Sequence, residues 1–247
     1  MTTLWLITDN KPGHRSQLQG LAQALAARTT VETHWIDTPA GLAAFGHWLT
    51  GRFPPGAALP DPDLILVAGH RTHLAGLATR RARGGKLIAL MRPSLPLGWF
   101  DLCVIPQHDN PPARPNVVAT RGVLNTARPS AEREAGKGLF LIGGPSKHHG
   151  WDRPALLAQI DAILTATPAM RWTLTTSRRT PADTESALLA LRERGVDVRP
   201  VRDTAPGWAM EQVARSAQAW VTEDSVSMVY ESLTAGAATG LLAVPRL

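Results

Sequence analysis

Short apolar runs alternate along this chain with longer stretches in which apolar residues return every three or four positions, the two patterns of buried strands and amphipathic helices. Residues 4–8 form the first such strand, residues 9–14 are a turn by composition, and a helix follows through Leu18, Leu21, Ala22 and Leu25. Residues 31–36 alternate as a second strand, 40–49 make a short helix, and Pro54, Pro55 and Pro60 mark a loop. Residues 63–68 are a third strand, ending in Gly69-His-Arg-Thr and another helix. Strands at 86–90, 101–105 and 116–120 complete the first half. After a polar stretch at 125–137 the alternation restarts with a strand at 139–142, a helix at 154–164, a strand at 172–175 and a helix at 184–194. A strand at 196–198 and a helix around 210–214 follow.

The last unit of this pattern is the sharpest. Residues 219–222 read as a buried strand, Asp224 or Ser225 as a helix N-cap, and Val226, Val229, Tyr230 and Leu233 as one helical face. Gly236 is the expected C-cap, and an apolar strand at 241–244 follows at once. The first helical turn therefore carries Glu223, Asp224, Ser225 and Ser227 where unpaired amides and the positive end of the helix dipole meet. That placement suits a phosphate or sugar hydroxyls. The same stretch reads equally well as a capped βαβ unit that holds nothing.

Regular alternation of strand and helix in both halves implies parallel sheets with right-handed crossovers. The expected fold is α/β: two Rossmann-like domains, residues 1–128 and 137–247, facing each other across a cleft and joined by the polar stretch. Ligands of such sheets bind at the carboxyl ends of strands. The turns to watch are thus 9–14, 69–72, 91–94 and 107–110 in the first half, and 143–150, 176–180 and 223–227 in the second. Gly143-Gly-Pro-Ser-Lys-His-His149 is the informative one, because two glycines let a backbone approach a ligand and Ser146 and Lys147 can reach a phosphate. No Walker A spacing follows it, and no Gly-x-Gly-x-x-Gly follows the first strand, which argues against ordinary NAD binding.

Composition changes this picture in two places. Cys103 is the single cysteine and lies in an apolar strand, so no internal disulfide forms, as suits a reducing cytoplasm. No apolar run is long enough to span a bilayer. Residues 1–130 carry 13 Lys and Arg against 7 Asp and Glu, whereas residues 131–247 carry 13 of each, so the net charge of +6 belongs to the first half. Arg71, Arg80, Arg81, Arg83 and Lys86 supply much of it. Such an imbalance suits an acidic partner, whether anionic lipid, nucleic acid or a phosphorylated substrate, and equally a basic surface with no partner.

Three motifs carry a family resemblance: Asp9-Asn-Lys-Pro-Gly-His14 with Gln17 and Gly20, Thr175-Thr-Ser-Arg-Arg-Thr-Pro181, and Thr222-Glu-Asp-Ser-Val-Ser-Met228. Together they resemble the mitochondrial-fission factor family of plants and its bacterial relatives. More distantly, the layout is similar to GT-B glycosyltransferases, including the enzyme that adds N-acetylglucosamine to the lipid-linked peptidoglycan precursor. The resemblance implies that the second domain holds a nucleotide-sugar and that the first loop of the amino domain faces the acceptor. GT-B proteins usually continue past the point where this chain ends, at Leu247, so the resemblance also implies a second domain truncated at its C-terminus.

Roles follow from that layout. Gly143, Gly144, Ser146, Lys147, Ser225, Ser227 and Met228 would cradle a leaving diphosphate without a metal. Arg178 and Arg179 read either as phosphate contacts or as a solvated strand end. Glu231, one turn beyond Ser227, would accept from ribose hydroxyls. His14 is the expected base, since imidazole titrates near neutrality, with Asp9 and Asp109 as alternatives and a purely structural His14 as the other reading. His70 and His73 are expected to decorate the basic helix, and His148 and His149 to line a turn rather than bind metal. The expected function is a metal-independent glycosyltransferase using a nucleotide-diphosphate sugar, with no cofactor, on a lipid-linked or envelope acceptor. The alternative is a non-catalytic GT-B scaffold that binds protein or membrane. Its expected partners are the donor and an anionic membrane surface, not nucleic acid, and its place is the cytoplasm or the periphery of the inner membrane.

Overall fold

The first apolar run forms β1 (Thr2–Thr8), and its residues from Thr3 onward are buried on both faces. Two-sided burial is why the strand reads as continuous rather than alternating. Leu4 and Leu6 pack on one side with Leu18 of α1 (Pro12–Ala26). Trp5 and Ile7 pack on the other with Ala44 of α2 (Gly41–Thr50) and Ala75 and Ala78 of α3 (His70–Arg83). The computed structural model describes residues 1–247 in two units, Met1–Thr126 and Ala127–Leu247.

In the first unit β1 is joined by β2 (Val31–Asp37), β3 (Leu64–Ala68), β4 (Lys86–Leu90), β5 (Leu102–Pro106) and β6 (Val117–Thr120). All pairings are parallel, in the order β2-β1-β3-β4-β5-β6. The chain moves from β1 outward to β2 and returns to the opposite side as β3, so the strand order reverses between β1 and β3.

The second unit comprises β7 (Glu134–Leu141), α4 (Arg153–Ala166), β8 (Arg171–Thr175), α5 (Ala182–Leu189), β9 (Asp197–Arg199), α6 (Trp208–Arg215), β10 (Ser216–Thr222), α7 (Val226–Ala235) and β11 (Ala238–Leu242). Its sheet, β11-β10-β7-β8-β9, is also parallel and reverses between β7 and β10. Phe140 and Trp172 stack at 4.4 Å in its core, and the Asp152 carboxylate caps α4 by accepting from the Ala155 amide at 3.0 Å. Both units are Rossmann-like, as the alternation predicts.

Two local readings need correction. Strand β7 starts at Glu134, inside the polar stretch read as a linker, because the first half of the strand is largely exposed and carries no apolar signal. On α7, Val226 and Leu233 are half exposed, and the packed face consists of Met228, Val229, Ser232 and Ala235. Ser232 can be buried there because its hydroxyl donates to the Met228 carbonyl at 2.9 Å. The basic helix is also less free than its charge suggests. Arg80 and Lys86 both bind Asp101, at 3.1 and 3.2 Å, and Arg83 pairs with Asp61. No helix is long and apolar enough to cross a membrane.

Each unit has its own core, and the ring stack belongs to the second alone. Phe140→Ala should remove about 3–5 kcal/mol from that core. Hydrogen exchange should then show lost protection in β7 and β8 with β1 and β3 unchanged. Equal loss in both units would mean that the cores are not separate.

Candidate functional site

A reversal of strand order leaves a crevice outside the carboxyl ends of the two strands concerned, because their following loops diverge. In the first unit the loops after β1 and β3 meet there. His14 lies in the first turn of α1, and its Nδ1 is 2.8 Å from an Asp9 carboxylate oxygen. The side chain of Asp9 is fully buried and that of His14 nearly so, at 18% exposure. Burial by itself would raise the Asp9 pKa, but the hydrogen bonds from His14 and the Lys11 amide and the nearby charges outweigh it. The net effect is downward, so the carboxyl stays ionised. An ionised partner at Nδ1 fixes the tautomer with its proton there and leaves Nε2 as a free acceptor. Gly69, which follows β3 with φ +87°, packs close against the imidazole, where a Cβ would collide with the ring.

The other turns of this edge carry backbone strain. Asn10, Met91 and Asn110 are the three non-glycine residues with positive φ, and they follow β1, β4 and β5. Met91 is the unusual one, a bulky residue at φ +69°, and it receives the Gln17 amide on its sulfur at 3.2 Å. His73 does not decorate the surface as expected. It is 2% exposed, edge-on to Phe100 at 5.5 Å, with Nδ1 3.3 Å from the Ser94 hydroxyl. Burial, then electrostatic interaction with the neighbouring His70 and His14 imidazoles, pulls its pKa down to about 4, so it is neutral. Asp109 is the last residue of the short turn after β5, where its carbonyl accepts from Arg92 at 2.9 Å, and it makes no bond to His14 or Asp9.

In the second unit the loops after β7 and β10 are knitted together. The Gly143 amide donates to the Thr222 hydroxyl at 2.7 Å and the Gly144 amide to the Asp224 carboxylate at 3.2 Å. Arg179 donates to the same carboxylate oxygen at 2.7 Å and to the Gly144 carbonyl at 2.7 Å. Thr180 closes the other side by donating to the Gly143 carbonyl at 2.6 Å. A Cβ on Gly143 would strike Asp224, and one on Gly144 would strike the Arg179 backbone. The two glycines are therefore needed for close packing, and their amides are already used. Ser146 likewise serves its own turn, accepting the His148 and His149 amides at 3.3 and 3.1 Å. Lys147 and Arg178 are exposed at its rim.

The amino end of α7 is different. Ser225 occupies the N-cap position but its side chain makes no capping bond. The amides of Val226, Ser227 and Met228 have no acceptor within the helix, as in any first turn. Ser227 is exposed there, whereas the Met228 side chain packs into the core. Glu231, one turn on, is desolvated, and burial raises its pKa to about 7. Thr222, Asp224, Gly69 and Met91 thus join the candidate residues. Of these, Gly69, Met91 and Asp224 lie in turns that the strand-end rule singles out, whereas no such turn signalled Thr222.

The match to an uncharacterized protein of Rickettsia prowazekii (strain Madrid E) is 31% identical over 116 residues. It covers 43% of this chain and 32% of that protein, so the chain spans about a third of that relative. Among solved structures, the UDP-GlcNAc 2-epimerase of Methanocaldococcus jannaschii superposes with a TM-score of 0.61 at 10% identity, over 98% of this chain and 83% of its own. The E. coli heptosyltransferase solved with ADP-2-deoxy-2-fluoro heptose gives 0.57 at 12% identity, over 97% of this chain and 88% of its own. At such identities the likeness carries the fold, which is GT-B-like. The family described as Mitochondrial fission ELM1 matches residues 12–247, and the chain belongs to that family.

Proposed function

We propose that this chain is a metal-independent glycosyltransferase that takes a nucleotide-diphosphate sugar and transfers the sugar to a lipid-linked or envelope hydroxyl. The observation that carries the reading is Glu231. A desolvated carboxyl on α7, one turn beyond unclaimed amides, is a ready acceptor for ribose hydroxyls. The diphosphate then lies on the amides of residues 226–228 with the Ser225 and Ser227 hydroxyls, and Lys147 and Arg178 supply positive charge. Gly143, Gly144 and Ser146 support this cradle from behind rather than touching the phosphates, since their polar groups are engaged. Nucleotide ligands of the E. coli heptosyltransferase fit the same class of donor.

In the transfer step, Nε2 of His14 takes the proton of the acceptor hydroxyl as its oxygen bonds to the anomeric carbon. The bond from that carbon to the diphosphate breaks, and the nucleoside diphosphate leaves with the electron pair. Asp9 holds the ring and stabilises the imidazolium that forms. A second reading, a non-catalytic scaffold that binds protein or membrane, is favoured by one observation: Thr222 already occupies the Gly143 amide and Asp224 the Gly144 amide.

Three measurements test the proposal. Uridine and adenosine diphosphates and their sugar esters should raise the melting temperature, and Ser227→Trp should abolish that rise without unfolding the protein. An unchanged rise in the variant would remove α7 as the donor element. His14→Ala should lower transfer about 10²–10⁴-fold while leaving nucleotide affinity unaltered. A proportional loss of both would make His14 structural.

The third concerns pH. The Glu231 carboxyl has a folded pKa of about 7 against an ordinary value of 4.5. Between those values the folded state keeps a proton that the unfolded state has lost, so stability falls as pH rises through that window. Glu231→Gln lacks this fall. In urea unfolding it should match the native protein near the lower value and exceed it by about 1–3 kcal/mol at alkaline pH. A constant difference at all pH values would count against the desolvated carboxyl.

A further inference from the structure

The segment Gly41–Thr50 of α2 contains no charged Asp, Glu, Lys or Arg, and its apolar residues divide between two faces. Ala44 is 1% exposed, and Trp48 packs partly into the core shared with α3. Leu42, Phe45 and Leu49 point the other way, at 90%, 50% and 62% exposure. At about 100° per residue they fall within roughly 60° of one another and form a single stripe. An apolar stripe of this kind on an otherwise polar surface marks a place that something else covers.

Charge identifies the cover. Arg52 directly follows the left-handed C-cap Gly51, and the Arg81 guanidinium sits over the Trp48 ring at 5.6 Å. Arg71 lies toward the other end of the helix, where its carbonyl accepts from the Thr38 hydroxyl at 3.2 Å. These three cations contrast with Arg80, Lys86 and Arg83, which are tied to Asp101 and Asp61. Neither α2 nor α3 contains an acidic residue. A hollow of about 410 Å³, lined by Arg52, Phe53, Pro54, Ala57 and Ala82 among others, adjoins the end of the stripe.

We infer that this face of α2 docks on an anionic lipid bilayer. Leu42, Phe45 and Leu49 enter the boundary of the acyl chains, while Arg52, Arg71 and Arg81 lie at the level of the lipid phosphates. Cations near such a surface add to the attraction, and salt weakens them. A second copy of the chain is a poorer occupant, because it would bring the same arginines face to face. The inference does not rest on the glycosyltransferase reading, since α2 carries none of the residues assigned to that chemistry.

Flotation with phosphatidylcholine vesicles, with and without phosphatidylglycerol, tests it on the full chain. The protein should float only with the anionic vesicles, and less as salt is raised. Leu42→Glu with Leu49→Glu, both on exposed positions, should weaken partition about tenfold or more, and Arg52→Glu should weaken it in the same direction. Circular dichroism confirms that the variants fold, and the nucleotide-induced thermal shift should be the same in all of them, so the two proposals fail separately. Absence of binding, equal binding to both lipids, or unchanged binding in the double variant would overturn the inference. So would a dimer, seen by light scattering, that the double variant dissolves.

Discussion

The central strands of each sheet are covered on both faces, and that constraint decides where chemistry can occur. Helices over Leu4 and Leu6 on one side and over Trp5 and Ile7 on the other leave no open sheet surface in the middle of the first unit. The same holds for Phe140 and Leu139 in the second unit. Ligands are left with the strand ends, and the reversal of strand order selects one pair of ends in each sheet. His14 and Gly69 occupy one such pair, and Gly143 and Thr222 the other.

Within the second pair, Asp224 is the organising group. Its fully buried carboxylate faces Gly143, accepts the Gly144 amide and binds Arg179, so it stands where an anionic ligand of a glycine-rich turn would otherwise be. A like charge brought to that turn would be repelled and would find its donors taken. The amides at the start of α7 are a different set, with hydroxyls beside them and Glu231 behind. The Gly143-Gly144 turn is therefore closed by acceptors of its own chain, and Asp224 is the reason.

Much of this was legible in the sequence, and the failures have physical causes. The strands and most helices followed from apolar runs because parallel strands buried on two faces leave little ambiguity. The β1 turn could be read from Asp9 and His14, and their contact follows from a spacing of five residues across a strand-to-helix turn. In the Gly-Gly turn the amides are already engaged, which was not legible because sequence does not reveal which acceptor an amide finds 79 residues away. The face of α7 was misread since Ser232 satisfies its hydroxyl on its own helix and so tolerates burial. The buried His73 was missed for a related reason: a basic helix hides which of its polar residues points inward.

The proposed base and its orienting carboxylate come from a single connection, residues 9 to 14, and Gly69 braces the ring from the same unit. Nothing in this arrangement waits for the second half of the chain. During synthesis the amino-terminal unit emerges first, and domains tend to fold as they appear. The imidazole can thus acquire its tautomer and orientation before α7 has been made. The proposed base is in that sense a self-contained inheritance of the unit Met1–Thr126, and changes in the later unit would not dismantle it.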